Sequence, residues 1–223
     1  MDFSFCIITD GSDVAKERIK LTINTIESLN IPNYEILCIG GQDTFEDIKN
    51  INFKKFTFDE SLKPAWITKK KNEITKIAKY ENLVMFHDYF IFEINWYKSY
   101  LEIKNRGISW DISCNPVLMI NNQRDYTDWI TWDHPVYGKQ KSINYHNWTM
   151  TKNQYISGGY FLVKKQFMLD NPFNEELVAN QEEDVEWSLR VREKANIICN
   201  PYAFVKHTKW HRSMTIQQLT YVG

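Results

Sequence analysis

Residues 84–90 read VMFHDYF, and this stretch gives the clearest prediction of the fold. An apolar run that begins at Leu83 leads directly into His87 and Asp88, and apolar residues resume soon after. A short run of this kind is typical of a strand buried in a parallel sheet. A charge at the end of such a strand is costly without a partner, and parallel sheets bind ligands beyond the carboxyl ends of their strands. Asp88 is therefore the first candidate for contact with a ligand or a metal.

Length and composition indicate an ordinary globular chain. It has 223 residues, of which 43% are hydrophobic and 25% are charged. That length is sufficient for a sizeable core. No internal repeat, low-complexity stretch or linker is evident, so the sequence predicts a single domain over residues 1–223. The net charge of −1 argues against bulk nucleic-acid binding, and no nucleic-acid partner is expected.

The cysteines and the apolar segments predict the cellular setting. The four cysteines are widely spaced, and Cys6 and Cys38 lie inside apolar runs, which indicates reduced core residues in a cytoplasmic protein. The first apolar run is too short for a secretory signal, and no apolar stretch approaches the ~20 residues that span a bilayer. The glycosylation sequon at 147–149 is then accidental. Contact of the tail, 210–223, with a membrane surface or a partner stays open.

The first half of the chain alternates strands and helices. Ile19, Ile23 and Ile26 recur at helical spacing between two apolar, strand-like runs. A strand–helix–strand crossover implies parallel strands with a right-handed connection. Strands are predicted at 3–9, 34–39, 53–58 and 83–86, and helices to near residue 29 and over about 65–79. The sequence therefore predicts an α/β fold with a mainly parallel central sheet.

The second half is less regular. A strand is predicted within 111–120, a glycine-marked turn into a strand at 155–163, a helix that opens at 181–184, and a strand at 197–204. The segment 121–151 is long, polar and rich in Trp, Tyr and His. Loops of this length in compact domains are usually functional or mobile, so a role in binding is expected here.

Each candidate residue also has an ordinary structural explanation when taken alone. Asp88 is expected as a cap or turn residue, and the lysines at 69–71 as a solvated helix face. Acidic residues at a helix start, here Glu183 and Asp184, are favoured by the helix dipole. His207 is expected, taken alone, to pack in the core or at the surface without any binding role. More specific is their order along the chain, which is a strand-end Asp, a Gly-Gly turn, an acidic helix start and a late His.

This order resembles the GT-A fold glycosyltransferases, in particular the family-2-like inverting group. The stretch 86–89 resembles the Asp-x-Asp motif of that family, with one Asp where the family has two. The glycines at 158–159 resemble the Gly pair before the acceptor region. Residues 183–184 resemble the Glu-Asp helix motif, and His207 resembles the late His of some members.

The resemblance covers almost the whole chain and implies its architecture. It implies a single GT-A, Rossmann-like domain with a mainly parallel central sheet. Residues 1–92 are the expected nucleotide-binding half, and residues 93–223 the expected acceptor-binding half. The aromatic segment 121–151 is then an expected acceptor-binding or lid region, since sugar faces pack on aromatic rings.

The resemblance also implies the activity and the role of each matching residue. A sugar would move from a nucleotide donor, expected to be a UDP-sugar, to a hydroxyl of a glycan or glycolipid-type acceptor. Asp184 is the expected base with Glu183 beside it, and Asp88 and His207 are the expected metal ligands. The expected nucleotide contacts are Thr9, Asp10, Asp43, Lys71, Asn72 and His87.

Elementary chemistry agrees with these roles. A divalent cation, Mn²⁺ or Mg²⁺, that bridges the donor phosphates would stabilise the negative leaving group. Asp88 supplies a hard oxygen ligand, and His207 favours Mn²⁺. Lys71 would add a fixed positive charge near the diphosphate. A carboxylate such as Asp184 can take the proton of the attacking hydroxyl, and a single displacement inverts the anomeric carbon.

Two alternatives remain open. A sugar-nucleotide pyrophosphorylase usually carries a Gly-rich, basic phosphate loop after the first strand, and the acidic stretch 10–13 argues against this class. A degenerate GT-A domain that binds a sugar nucleotide or a glycan without turnover is consistent with the single Asp of the 86–89 stretch.

Overall fold

The computed structural model describes residues 1–125, 127–147 and 151–208. Within them the strands are β1 (Phe3–Ile8), β2 (Tyr34–Ile39), β3 (Phe53–Phe56), β4 (Asn82–His87), β5 (Phe90–Phe92), β6 (Ile112–Cys114), β7 (Val117–Met119), β8 (Ile130–Thr131), β9 (Lys141–Ser142), β10 (Gln154–Tyr155), β11 (Tyr160–Lys164), β12 (Ile197–Cys199) and β13 (Val205–His207). The helices are α1 (Asp13–Ser28), α2 (Ile67–Ile77), α3 (Trp96–Asn105), α4 (Lys165–Asp170) and α5 (Glu183–Val191), with a 3-10 helix at Thr151–Asn153. The tail 210–223 and two residues of the sequon lie outside the described residues. In the ranges described, no helix has both the length and the apolar character needed to cross a membrane.

A seven-stranded sheet in the order β12-β6-β11-β4-β1-β2-β3 forms the centre of the molecule. β1 is parallel to both β2 and β4, and β2 is parallel to β3. β11 is antiparallel to its neighbours β4 and β6, while β12 is parallel to β6. Only β11 therefore runs against the other strands of this sheet. The predicted α/β fold with a mainly parallel sheet is confirmed.

Both faces of the sheet are covered, which explains the unbroken apolar runs of β1 and β4. Because successive side chains of a strand alternate between faces, Phe5 and Ile7 enter the core beneath α1 and α3. Cys6 and Ile8 enter the opposite core beneath α2 and α5. All four cysteines are buried and free, as predicted for core residues.

Helix α1 begins where β1 delivers the chain to one edge of the sheet. The Ser12 side chain accepts a hydrogen bond from Ala15 N at 3.2 Å, which caps the helix. Ile19, Ile23 and Ile26 are buried against the sheet, as their spacing predicts. This packing fixes the rotation of the helix and so determines which of its polar side chains reach the end of β4.

Two helices of the second half were not predicted from the sequence. In α3, Trp96, Ser99, Tyr100 and Ile103 are buried at spacings of three and four residues, so the description of this region as irregular is wrong. The buried face is largely aromatic, and Asn95 makes no side-chain cap that would mark the start. α4 has six residues, too few to show a helical period.

The lysines at 69–71 do not form a solvated face. Lys70 and Lys71 of α2 are both buried, whereas Lys69 keeps partial exposure and pairs with Glu73 and Glu175. The ordinary explanation for this lysine run is therefore wrong for two of its three members, since the polar side of α2 faces the protein.

The described part of the aromatic segment, residues 121–125 and 127–147, is folded. It contributes β8 and β9 to a small antiparallel sheet with β10. Arg124 Nε donates to Asp128 Oδ1 at 3.0 Å, and other Arg124 nitrogens donate to the carbonyls of Ile143 and Trp129, each at 3.0 Å. The Tyr145 hydroxyl donates to Asp128 Oδ2 at 2.6 Å. A buried ion pair thus holds the segment together.

Candidate active site

Asp88 follows β4 directly, and its carboxylate faces the first strand and the first helix. The Thr9 hydroxyl donates to Asp88 Oδ2 at 2.7 Å, and Arg18 Nη1 lies 3.5 Å from Oδ1. Because β1 and β4 are parallel neighbours, Thr9 and Asp88 meet at the same edge of the sheet. The buried charge therefore has an arginine partner on α1, which the sequence analysis did not identify.

The backbones that follow β1 and β2 pack closely beside this edge. A Cβ on Gly11 would lie 2.7 Å from Gly41 Cα, so this approach requires glycine. Lys70 joins the two turns, because its Nζ donates to the Thr9 carbonyl at 2.9 Å and to Glu60 at 2.8 Å. Glu60 also accepts from Gly41 N at 3.0 Å. These hydrogen bonds hold the turns that follow β1 and β2 together in a rim that consists mainly of backbone.

The acidic residues predicted near the nucleotide, Asp10 and Asp43, lie in exposed turns beside this rim. Asp10 Oδ1 accepts from Ser12 N at 2.9 Å. Asp43 Oδ1 accepts from Phe45 N at 2.8 Å. Both carboxylates accept hydrogen bonds within local turns, and both residues are exposed.

Asp184 is held in place at the first turn of α5. Its Oδ2 accepts from the Tyr155 hydroxyl at 2.5 Å and from Gly158 N at 3.0 Å, and its Oδ1 accepts from Val185 N at 2.9 Å. Burial raises the pKa of Tyr155, and the charge of Asp184 raises it further, so the phenol stays a donor. Tyr155 was not predicted as a site residue, because β10 is only two residues long and carries no motif.

Glu183, next to Asp184, is buried at the same helix start. Burial raises the pKa of Glu183, and repulsion from the Asp184 carboxylate adds to this effect. The preceding residue, Glu182, adopts the left-handed conformation with φ 54°, which turns the chain into the helix. The two carboxyl groups therefore form an electrostatically coupled pair.

A cavity of about 400 Å³ brings several predicted residues together. His87 from β4 and the Glu183–Asp184 pair from α5 line it, together with the glycines at 158–159 and His207 from β13. Thr9, Asp10, Asp43, Lys71, Asn72 and Asp88 are not among the described residues that line it. The predicted catalytic carboxylates and the two histidines thus share one cavity, while Thr9, Asp10 and Asp43 lie at the neighbouring rim.

His207 reaches this cavity through a second small sheet. β13 lies between β5 and β7, and His207 is only 1% exposed. Its Nε2 lies 3.2 Å from Asp125 Oδ2. Burial alone would raise the pKa of Asp125, but hydrogen bonds with His207 and Thr127 hold the pKa below its usual value. Asp125 was missed because it lies in the segment that showed no regular pattern.

His87 is placed by its backbone and by its ring. His87 N donates to the Gly159 carbonyl at 3.1 Å, which aligns the end of β4 with the glycine pair. Its imidazole stacks on the Tyr89 ring, with centroids 5.5 Å apart and an interplanar angle of 3°. The imidazole therefore presents a fixed polar group to the cavity.

Lys71 and Asn72, both predicted at the nucleotide, are turned toward other groups. Asn72 Nδ2 donates to the Phe173 carbonyl, and Asn72 Oδ1 accepts from Phe173 N, both at 2.9 Å. Asn72 thereby fastens α2 to the segment that precedes α5. The Lys71 ammonium is buried close to Gly158 and Asp184.

The two predicted metal ligands do not form a ready metal site. Asp88 faces Thr9 and Arg18, whereas His207 pairs with Asp125. Across the described ranges, no group of three or more His, Cys, Asp or Glu side chains is arranged to hold an ion. The carboxylate oxygens of Asp88 and the imidazole nitrogens of His207 suit Mn²⁺ in type.

Comparison with known proteins gives matches in structure alone. No family model and no curated protein matches the sequence. The crystal structure of S. aureus TarS 1-349 matches with a TM-score of 0.65 at 16% identity, over 93% of this chain and 60% of that chain. Its complex with UDP-GlcNAc matches with a TM-score of 0.65 at 16% identity, over 100% and 62%. GalNAc-T7 with UDP, GalNAc and Mn²⁺ matches with a TM-score of 0.62 at 15% identity, over 94% and 44%.

These matches extend over nearly all of this chain, which spans about 60% of the TarS fragment. TarS and GalNAc-T7 are GT-A-type glycosyltransferases. The mostly parallel sheet with helices on both faces is the architecture that the sequence predicted. The chain therefore has the GT-A fold.

Proposed function

We propose that the chain is a glycosyltransferase that moves a sugar from a UDP-sugar to a hydroxyl of a glycan or glycolipid-type acceptor, with inversion. The observation that carries this proposal is the convergence of Asp184, Glu183, His87 and His207 on one cavity beside the carboxyl edge of the sheet. Residues from three distant parts of the chain meet there. UDP-GlcNAc in the TarS complex, and UDP with GalNAc in the GalNAc-T7 structure, support a UDP-sugar as the donor.

Asp184 is the proposed base. The acceptor hydroxyl forms a bond to the anomeric carbon while the bond from that carbon to the diphosphate oxygen breaks. The hydroxyl proton passes to the Asp184 carboxylate, and the nucleoside diphosphate leaves. The donors on Asp184 from Tyr155 and Gly158 fix its orientation, so little reorganisation accompanies the transfer.

The rim beside Thr9 and Asp88 is the proposed donor site. Exposed Asp10 and Asp43 flank it, and His87 lies where the rim meets the cavity. Arg18, loosely paired with Asp88 at 3.5 Å, adds a positive charge there. The four free cysteines support a reducing, cytoplasmic location as part of the same proposal.

A divalent cation remains part of the proposal through the Mn²⁺ in the GalNAc-T7 structure. Asp88 and His207 are the proposed protein ligands. The ion would supply charge stabilisation for the leaving diphosphate.

The second candidate is a GT-A domain that binds a sugar nucleotide without turnover. The pairing of Asp88 with Arg18 favours it, because the arginine already neutralises the carboxylate that the metal would use. Both candidates predict that the chain binds a sugar nucleotide, but only the first predicts sugar transfer.

Calorimetry and a donor screen separate them. UDP and GDP are titrated with and without Mn²⁺, and UDP- and GDP-sugars are then assayed for slow hydrolysis. The transferase proposal predicts UDP binding and release of UDP from at least one donor. Binding without release from any donor supports the second candidate, and no binding of either nucleotide contradicts both.

A further inference from the structure

Lys71 is a buried lysine in α2 that the proposed reaction does not use. Its side chain is 0% exposed, and its Nζ has no hydrogen-bond partner among the described residues. A buried ammonium without compensation is strongly unfavourable. Its retention therefore calls for a compensating charge.

Two aromatic rings and the Asp184 carboxylate lie close to Lys71 and compensate its charge. Its Nζ lies 4.6 Å from the ring centroid of Phe173 and 5.8 Å from that of Phe161. Both Lys71 Nζ and Asp184 Oδ2 lie 3.1 Å from the point that a Cβ on Gly158 would occupy. The missing side chain of Gly158 thus allows the ammonium and the carboxylate to approach each other.

Burial and the neighbouring charges shift the pKa of Lys71 in opposite directions. Burial lowers the pKa of Lys71, whereas Asp184 and Glu183 raise it. Lys71 from α2 and Tyr155 from β10 both interact with the carboxylate pair, and Glu182 precedes the pair in the chain. Lys71 is therefore a buried cation close to the pair.

The position of Lys71 does not suit contact with a diphosphate. Gly158 and Asp184 line the cavity, and Lys71 is not among its described lining residues, so the ammonium lies behind that wall. The adjacent Lys70 points toward the donor rim, where it donates to Thr9 and Glu60. Neighbouring lysines on α2 thus serve different sites.

We propose that Lys71 is a positioning residue, a buried counter-charge beside Gly158 that holds the Asp184 carboxylate in place. It does not bind the diphosphate. Its effect on the reaction depends on the proposed glycosyltransferase function, but its electrostatic role in the folded protein does not.

A double-mutant cycle on stability tests the electrostatic role without any activity. Asp184→Asn is made in the wild type and in Lys71→Met, and urea unfolding midpoints are compared. We expect Asp184→Asn to lower the midpoint clearly in the wild type and much less beside Lys71→Met. Lys76→Met, a change at an exposed lysine of the same helix, is the control and should leave the effect of Asp184→Asn unchanged. Equal effects in all three backgrounds would overturn the proposal.

A second measurement leaves Lys71 unchanged, so it remains informative if Lys71→Met folds poorly. The ¹³Cε signal of Lys71 is titrated by NMR in the wild type and in Asp184→Asn. The counter-charge role predicts loss of the ammonium proton at lower pH in Asp184→Asn, and an unchanged titration contradicts it.

The split between turnover and donor binding then tests the role in the reaction. In Lys71→Met the kcat for sugar transfer should fall by about tenfold, with the Kd for UDP within twofold of wild type. A tenfold weaker UDP affinity with an unchanged kcat would make Lys71 a donor ligand and overturn the proposal. If the stability coupling is present but the wild type transfers no sugar, the glycosyltransferase proposal fails while the counter-charge stands.

Discussion

At the scale of single residues, the Asp184 carboxylate is constrained from several directions at once. Tyr155, Gly158 and Val185 donate to it, and Lys71 lies behind it. A solvent-facing carboxylate at a helix start needs none of these contacts. The arrangement fixes the direction of the carboxylate.

The space around Gly158 gives the first prediction. A Cβ there would lie 2.9 Å from Asp184 Cβ, so Gly158→Ala must displace the carboxylate. We expect kcat/KM for sugar transfer to fall by about 10- to 100-fold, with UDP affinity retained. Gly159→Ala is the steric control, because its Cβ would meet nothing closer than 3.6 Å. Equal losses in the two variants would contradict this explanation.

The raised pKa of Glu183 gives a prediction in pH. As pH falls, Glu183 takes up a proton at a higher pH than an isolated glutamate would, because it is buried and faces the Asp184 carboxylate. Asp184→Asn removes that repulsion, so Glu183 should stay ionised to lower pH. The carboxyl ¹³C signal of Glu183, titrated by NMR in the wild type and in Asp184→Asn, measures this shift. An unchanged titration, or a shift toward higher pH, would show that the carboxylates do not interact in this way.

Some site residues could be predicted from the sequence, and others could not. The order along the chain pointed to Asp88, the Glu183–Asp184 pair and His207, and of these the pair and His207 line the cavity. The side chains that contact these residues could not be recognised in the sequence, because only the folded structure brings them close. Examples are Arg18, Tyr155 and Asp125, which belong to no local pattern.

At the scale of elements, the segment 121–147 depends on a buried ion pair rather than on its own strands. β8 and β9 have two residues each, too few to be stable by themselves. Asp128 is fully buried, and Arg124 and Tyr145 satisfy it together with backbone amides. This segment supplies Asp125 and Asp128 to the cavity, so its order is a condition for the site.

Breaking this pair should be costly. Arg124→Met leaves the Asp128 carboxylate buried without its cation, and we expect a loss of about 3–5 kcal/mol in the free energy of unfolding. Asp133→Asn, which removes the exposed partner of Arg192, is the control, with an expected loss of about 1 kcal/mol or less. Urea unfolding measures both. Similar small losses would show that Arg124 and Asp128 do not stabilise the segment.

The predictability of the elements follows from their length and position. β1, α1, β2 and β4 carry long aliphatic runs or a clear helical period, and the sequence located them closely. α3 has an aromatic face, and α4, β8, β9 and β10 are too short for periodicity to appear. Such elements are specified by contacts with distant residues, which no local pattern records.

At the scale of the whole molecule, two halves of the chain meet at one edge of the sheet. The first half supplies the rim at Thr9 and Asp88, and the second half supplies the Glu183–Asp184 pair and His207. The strand order of the central sheet, in which β11 lies beside β4, brings the two halves together. The α/β fold with a mainly parallel sheet was predictable, whereas the pairing of Asp88 with Arg18 required the structure.

Nucleotide binding should stabilise the entire fold. At a free UDP concentration of 100 times Kd, the free energy of unfolding should rise by about 2.7 kcal/mol, visible as a higher Tm. Asp184→Asn should show the same stabilisation, because the base lies outside the donor rim. A Tm that does not respond to UDP at any concentration would remove the donor site from the proposal.

The most direct test is the release of UDP from a UDP-sugar, followed by ³¹P NMR in the wild type and in Asp184→Asn at equal nucleotide occupancy. The wild type should release UDP, and the variant should bind the donor equally well while its release rate falls by about 10²- to 10⁴-fold. Equal release rates in the two proteins would contradict the central claim that Asp184 in this cavity is the base of a sugar transfer.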